Sequence, residues 1–165
     1  MNRKFGSMFI IVMVIALLVN NNLVIVFAQE NGLEIIERSE YMEDGIVYKT
    51  TIEELTPENE IVLGRAAMKS RTLSKTLGAY NSAGKELWTV TLKATFNYNG
   101  STSYASASSV STSVNSSWLI LSKHTKRALN TATGQATARL SIAGMPVQQV
   151  TKTVTLTCNK NGGIT

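Results

Sequence analysis

Between Lys85 and Tyr98 the chain alternates with period two, and no other stretch limits its fold so tightly. Trp88, Val90, Leu92, Ala94, Phe96 and Tyr98 share one face. Leu87, Thr89, Thr91, Lys93, Thr95 and Asn97 share the other, and all but the first are polar. Successive side chains of a strand point to opposite sides, so the pattern predicts a strand with one dry face and one wet face. A helix would scatter the same apolar residues around its axis. The dry face needs a second layer to cover it.

Further along the chain the same period returns. Asn99-Gly100 is a turn dipeptide that tolerates positive φ. Tyr104, Val110 and Val114 then share a face within a run dominated by Ser and Thr. Trp118-Leu119-Ile120-Leu121 reads as a short, more buried strand, and Ser122 to Gly134 as a basic connection. Ala136, Ala138, Leu140 and Ile142 alternate with Thr137, Arg139 and Ser141; Gly144-Met145-Pro146 turns the chain; and Val150, Val154, Leu156 and Cys158 alternate with threonines. Residues 159–165 read as a tail. Short alternating strands separated by turn signals predict an all-β, antiparallel β-sandwich, immunoglobulin-like by strand count but without the Cys pair of antibody domains. Its expected core includes Trp88, Phe96, Trp118, Leu156 and Cys158.

The chain starts differently. Arg3 and Lys4 precede an apolar run from Met8 to Val19, three asparagines interrupt it, and Leu23 to Phe27 resume it up to Ala28. A positive start, an apolar middle and a small-residue end are the layout of a secretory signal peptide. The alternative is a membrane anchor, but a spanning helix wants about 20 uninterrupted apolar residues. The expectation is therefore a signal peptide over 1–28, cleavage near Ala28, a secreted product and no transmembrane helix in the mature chain. The single cysteine, Cys158, leaves that product without an internal disulfide. Cys-poor exported chains suit a Gram-positive bacterium.

Charge divides the remainder. Between Glu30 and Glu60, ten acids face two bases, a net of −8; from Ile61 onward, twelve bases face Glu86 alone, a net of +11. The division predicts an acidic N-terminal segment, 29–64, and a basic β-sandwich domain, 65–165. Within the acidic segment, Leu33, Ile36 and Glu40 have helical spacing, as do Ile35, Ser39 and Met42, each a weak face; Gly45 to Ile52 alternates as a strand. Thr56-Pro57-Glu58-Asn59-Glu60 has the chemistry of a helix start, continuing over Ile61 to Lys69, with Gly64 costing about 1 kcal/mol relative to Ala.

Most catalytic chemistry lacks its parts. A hydrolytic triad needs a His base oriented by an acid, yet the one histidine, His124, sits among Lys123, Lys126 and Arg127, and Glu86 is the sole acid of the basic half. Cys158 continues an inward row, where a thiol packs as a small apolar group. One Cys and one His do not make a zinc site, and there is no Gly-rich phosphate loop with its Lys. No enzyme, metal or cofactor is expected. The Ser/Thr-rich run from Ser101 to Ser117 is reminiscent of the amphipathic segments of pore-forming β-toxins. Its Ala105, Ala107 and two valines are too small to cover a bilayer band, so a solvated strand face is the better reading.

The basic residues remain. Arg65, Lys69, Arg71 and Lys75 form one cluster, and Lys123, Lys126 and Arg127 another. Scattered positive charge also simply keeps a protein soluble. On an exported protein it would meet cell-wall or membrane polyanions, with nucleic acid not expected as a partner. The stretch from Leu87 to Gly163 is similar to small uncharacterised secreted β-rich proteins of Gram-positive bacteria. The resemblance rests on Trp88-Thr89-Val90, Phe96-Asn97-Tyr98-Asn99-Gly100-Ser101, Asn130-Thr131-Ala132 and Val154-Thr155-Leu156-Thr157-Cys158. It implies export and a β domain and attaches no activity. The resulting expectation is a non-catalytic binding module at the cell envelope, with a secreted antibacterial or membrane-active factor carrying an acidic pro-segment as the alternative.

Overall fold

In a computed structural model the described residues are 15–19, 22–26, 34–63, 66–115 and 117–165. They form ten strands: β1 (Ile15–Val19), β2 (Asn22–Val26), β3 (Glu34–Glu43), β4 (Ile46–Leu63), β5 (Ala66–Tyr80), β6 (Glu86–Tyr98), β7 (Ser103–Val114), β8 (Trp118–Ala128), β9 (Thr131–Ile142) and β10 (Met145–Thr157). Strands β1 to β7 make one sheet in chain order, and β10-β9-β8 make a second. All the pairings are antiparallel. The smaller sheet packs over β5, β6 and β7.

The all-β, two-sheet expectation therefore holds, but the connectivity does not follow the immunoglobulin pattern. That arrangement needs Greek-key crossovers between sheets. Here every strand lies beside its sequence neighbour, a meander that changes sheet once, between β7 and β8. Tight turns make this possible. Asp44-Gly45 and Ala143-Gly144 each place two successive residues at positive φ, from 50° to 80°. That backbone twist matches the flanking strands of a two-residue hairpin.

The core follows the alternation. Trp88, Val90, Leu92, Ala94, Phe96 and Tyr98 of β6 are all buried, at 2% exposure or less. Opposite them β9 presents Ala132, Ala136 and Ala138, all buried, with Gly134 in the same row. A Cβ on Gly134 would lie 3.2 Å from Leu92 Cβ and from Val110 Cγ2. Small residues on the middle strand of one sheet thus receive the large residues of the other, which keeps the interior close-packed. Trp118, Leu156 and Cys158 complete the same cluster.

Four local expectations are corrected. The helix read over 56–69 is absent: β4 runs to Leu63 and pairs with β5 up to Leu63↔Ala66. Pro57 falls where the register shifts between Thr56 and Asn59, a place where its missing N–H removes no ladder bond. A long pairing partner has overridden a local capping signal. The weak helical faces before it also give way to strand, in β3. The basic connection from Ser122 is strand as well, with β8 continuing to Ala128 and turning at Leu129, φ 53°. Residues 159–165 fold back on the domain. Thr157 and Thr165 exchange two backbone hydrogen bonds of 2.8 and 3.0 Å, and Ile164 packs on the core.

The division at residue 64 does not separate two structural layers. Strands β3 and β4, which hold most of the acids, are hydrogen-bonded into the large sheet, and Ile46, Tyr48 and Ile52 enter the core. Of the expected leader, residues 15–19 and 22–26 form β1 and β2 at the edge of that sheet; Ala28, with the cleavage position, lies outside the described residues. Among the described residues, no helix is long and apolar enough to cross a membrane.

Candidate functional site

Strand β5 carries the first basic cluster, and its side chains alternate between core and solvent. Leu73, Leu77 and Ala79 are buried on the row that also holds Lys69, Arg71 and Lys75. Arg71 is consumed by the fold. Its guanidinium holds the Glu54 carboxylate through two bonds, Nε to Oε1 at 3.0 Å and Nη2 to Oε2 at 2.5 Å. Its Nη1 donates to Gly162 O at 2.7 Å. A bidentate pair with both side chains mostly covered fixes geometry strongly. Lys75 is half-buried beside Leu73 and Leu77, whereas Lys69 is exposed. Arg65 lies outside the described residues. The cluster expected from the sequence is therefore not a single open patch.

Strand β8 carries the second cluster. A register shift between Ile120 and Ser122 sets which way its side chains point. Lys123, Thr125 and Arg127 pair with Ala136, Gly134 and Ala132, whose row faces the large sheet; Ser122, His124 and Lys126 pair with Thr137, Gln135 and Thr133 on the outer row. Arg127 Nη1 donates to the carbonyl of Ser106, and Thr125 Oγ1 donates to Ser108 Oγ at 3.1 Å. These contacts tie the edge of β8 to β7. Lys123, His124 and Lys126 are exposed, and none of the three side chains has a hydrogen bond or ion pair with another described residue.

The whole three-stranded sheet has one sign. From Trp118 to Thr157 there are five Lys and Arg and no Asp or Glu. Apart from Glu86 on β6, the described acids lie on β3, β4 and the turn between them. Lys152, on the inner row of β10, reaches across to them: it forms an ion pair with Glu43 and sits 4.1 Å from the Tyr48 ring centroid and 5.4 Å from that of Tyr41. Burial alone pulls the Lys152 ammonium down, but hydrogen bonding to Glu43 and Tyr41 and the two tyrosines' charges outweigh it, leaving the pKa raised. Burial raises the Tyr48 phenol, with Lys152 opposing and Glu43 adding to the shift. This clasp, which the sequence alone does not announce, locks the basic sheet to the acidic strands.

The residues considered for catalysis are not brought together. Glu86 opens β6 and accepts a 3.0 Å hydrogen bond from Ser113 Oγ. Cys158 lies beyond the far end of β10, where its carbonyl accepts bonds of 2.8 Å from Ser103 Oγ and Asn130 Nδ2. His124 stands on the outer row of β8. Burial raises the Cys158 thiol, against a hydrogen bond from Ser103 and the charge of Arg71. A reactive thiol needs the opposite shift. Among the described residues, no group of three or more His, Cys, Asp or Glu side chains is placed to hold a metal ion. No protein-family model matches the chain, and no curated protein and no solved structure matches it.

Proposed function

We propose that this chain is an exported, non-catalytic β-sandwich that binds polyanions at the Gram-positive cell envelope through its three-stranded sheet. One observation carries the reading: that sheet holds five cationic side chains and no acidic one, with Lys123 and Lys126 exposed on its edge strand. Like charges gathered on one small sheet with no acid among them, Lys123 on its inner row and Lys126 on its outer row, raise the local potential and attract an extended polyanion. The dispersal of Lys69, Arg71 and Lys75 leaves β8 as the contact strand. Exposed Lys on an edge strand also discourages edge-to-edge association, so the binding role is decided by measurement. Retention on an immobilised anionic wall polymer is expected at low ionic strength and lost at about 1 M salt, where the screening length is about 3 Å. Lys123→Glu with Lys126→Glu is expected to abolish retention. Absence of retention at low salt would refute the proposal.

The alternative, a membrane-active factor released from an acidic pro-segment, has the core against it. Removal of the acidic strands would take away Ile46, Tyr48 and Ile52 and would leave Arg71 and Lys152 without Glu54 and Glu43. An intact acidic segment in the mature secreted protein, read by mass spectrometry, would exclude it.

A further inference from the structure

At one end of the sandwich the β3–β4, β5–β6, β7–β8 and β9–β10 connections surround a cavity of about 410 Å³. Its volume lies within the range of small-molecule sites. Ile46, Leu87, Trp118 and Leu140 supply the apolar part of the wall, and Asn81, Asn115, Ser117 and Gln148 the neutral polar part. The wall is held by backbone bonds: Asn115 N donates to Leu87 O at 2.8 Å, Trp118 N to Asn115 O at 2.9 Å, and Ser141 N to Ser117 O at 3.1 Å.

The polar groups are only partly used by the fold. Asn81 Oδ1 accepts from the backbone N–H of Ala83 and of Lys85, at 3.0 and 2.9 Å, which leaves its amide hydrogens to donate. The Ser117 hydroxyl and the Gln148 side-chain amide have no hydrogen-bond partner among the described residues. Lys85 and Glu86 stand together on the lip, with opposite charges. Beyond the wall pair Leu140↔Gln148, the same row of the hairpin continues to Ile142↔Met145. Those two side chains are 60% and 70% exposed and extend the apolar wall past the mouth.

From this geometry we propose that the cavity binds a neutral saccharide bearing an N-acetyl group. Primary amides and a hydroxyl both donate and accept, which matches vicinal hydroxyls and an acetamido group. The accessible edge of the largely buried Trp118 indole, beside the partly exposed Leu87 and Leu140, offers an apolar strip for the acetyl methyl and the sugar's C–H groups. The lip charges cancel locally, so an anionic ligand gains nothing there. Binding at this end is independent of the basic sheet and should resist salt.

The chain has two tryptophans, Trp88 and Trp118. Trp118 lines the cavity, so intrinsic emission reports occupancy. Titration of the intact protein with the β-1,4-linked trimer of N-acetylglucosamine is expected to give a saturable shift that persists at about 1 M salt. The corresponding glucose trimer should bind at least tenfold more weakly, and a zwitterionic tripeptide should give no saturation. Ser117→Ala combined with Gln148→Ala should weaken the trimer about tenfold, with the far-UV circular dichroism and the salt-sensitive wall-polymer retention unchanged. No saturation by the trimer, equal binding of the glucose trimer or the tripeptide, or an unchanged affinity in the folded double variant would each overturn the proposal. Loss of wall-polymer retention without loss of trimer binding would instead count against the polyanion reading alone.

Discussion

Replacing Trp88 separates two effects that the structure places on one side chain. Trp88 is fully buried, with Tyr48 edge-on at 6.4 Å and Trp118 tilted at 6.3 Å between ring centroids. It lies in register between Ala79 on β5 and Val114 on β7. Burial of about 200 Å² at about 25 cal/mol per Å² corresponds to roughly 5 kcal/mol of transfer free energy. Its Nε1 is also buried and has no hydrogen-bond partner, a defect worth about 1–3 kcal/mol. Trp88→Ala forfeits the packing but relieves the defect, so a loss of about 3 kcal/mol is expected, at the low end for such substitutions. Trp88→Phe keeps most of the ring contact and removes the same defect, so its loss should be about 1 kcal/mol or less. Urea unfolding followed by far-UV circular dichroism measures both without relying on tryptophan emission. Thermal midpoints should fall by about 6–12 °C for the Ala variant. A loss below about 1 kcal/mol for Trp88→Ala would remove Trp88 from the core. A loss for Trp88→Phe well above about 1 kcal/mol would show that the indole N–H is bonded after all.

Cys158 is fully buried, so iodoacetamide should label it slowly in the native protein and rapidly after denaturation; equal rates would show that the inner row of β10 has been assigned to the wrong face. The pH dependence has a definite sign. Lys152, Tyr48 and Cys158 have folded pKa values raised above 10.5, 10.0 and 9.0. Each group is therefore held in its protonated form by the fold, and its contribution is complete below the unfolded value and lost as pH rises through the folded one. The urea midpoint should be steady near neutrality and decline above about pH 9, with Lys152→Met flattening the most alkaline part. A midpoint that rises with pH over that range would contradict the burial of Tyr48 and Cys158 and the pairing of Lys152 with Glu43.

The alternation of β6 was legible because nothing in its inner row is charged. Strand β5 was not, although Leu73, Leu77 and Ala79 point inward. Arg71 and Lys75 occupy the same row and break the apolar pattern, and they are accommodated by Glu54, the Gly162 carbonyl and half-burial. Only the first part of strand β8, Trp118 to Leu121, was legible, for a related reason. After Ile120 its inward positions pass over the sandwich edge, so Lys123 and Arg127 replace apolar residues without leaving the ladder. The helix signal at Thr56-Pro57 was genuine local chemistry that lost to a long antiparallel partner. The basic candidates were legible as types and not as a patch, since an ion pair with Glu54 depends on a register that no local spacing reveals. The end cavity had no sequence signature at all: its wall is drawn from four separate hairpin ends, and each polar residue there is ordinary for a turn or a strand end.

The charge asymmetry takes on a different meaning once the strands are placed. Along the chain it reads as two segments with separate roles. In the fold, the acidic β3 and β4 stand toward one side of the large sheet, and the basic β8 lies beside β7 on the other. Among the described residues, the ion pairs of Glu54 with Arg71 and of Glu43 with Lys152 cross the division. They engage three covered side chains, Arg71, Glu54 and Lys152, and the more exposed Glu43, whereas Lys123 and Lys126 stay in solvent. The pairing neutralises charge where burial would penalise it and leaves it unpaired where a polyanion can reach it. An acidic segment built to mask the basic face would instead have to lie over β8, and the meander puts four strands between β3 and the β7–β8 edge. The same sequence asymmetry therefore supports a permanently polarised binding module over a protein awaiting removal of a pro-segment.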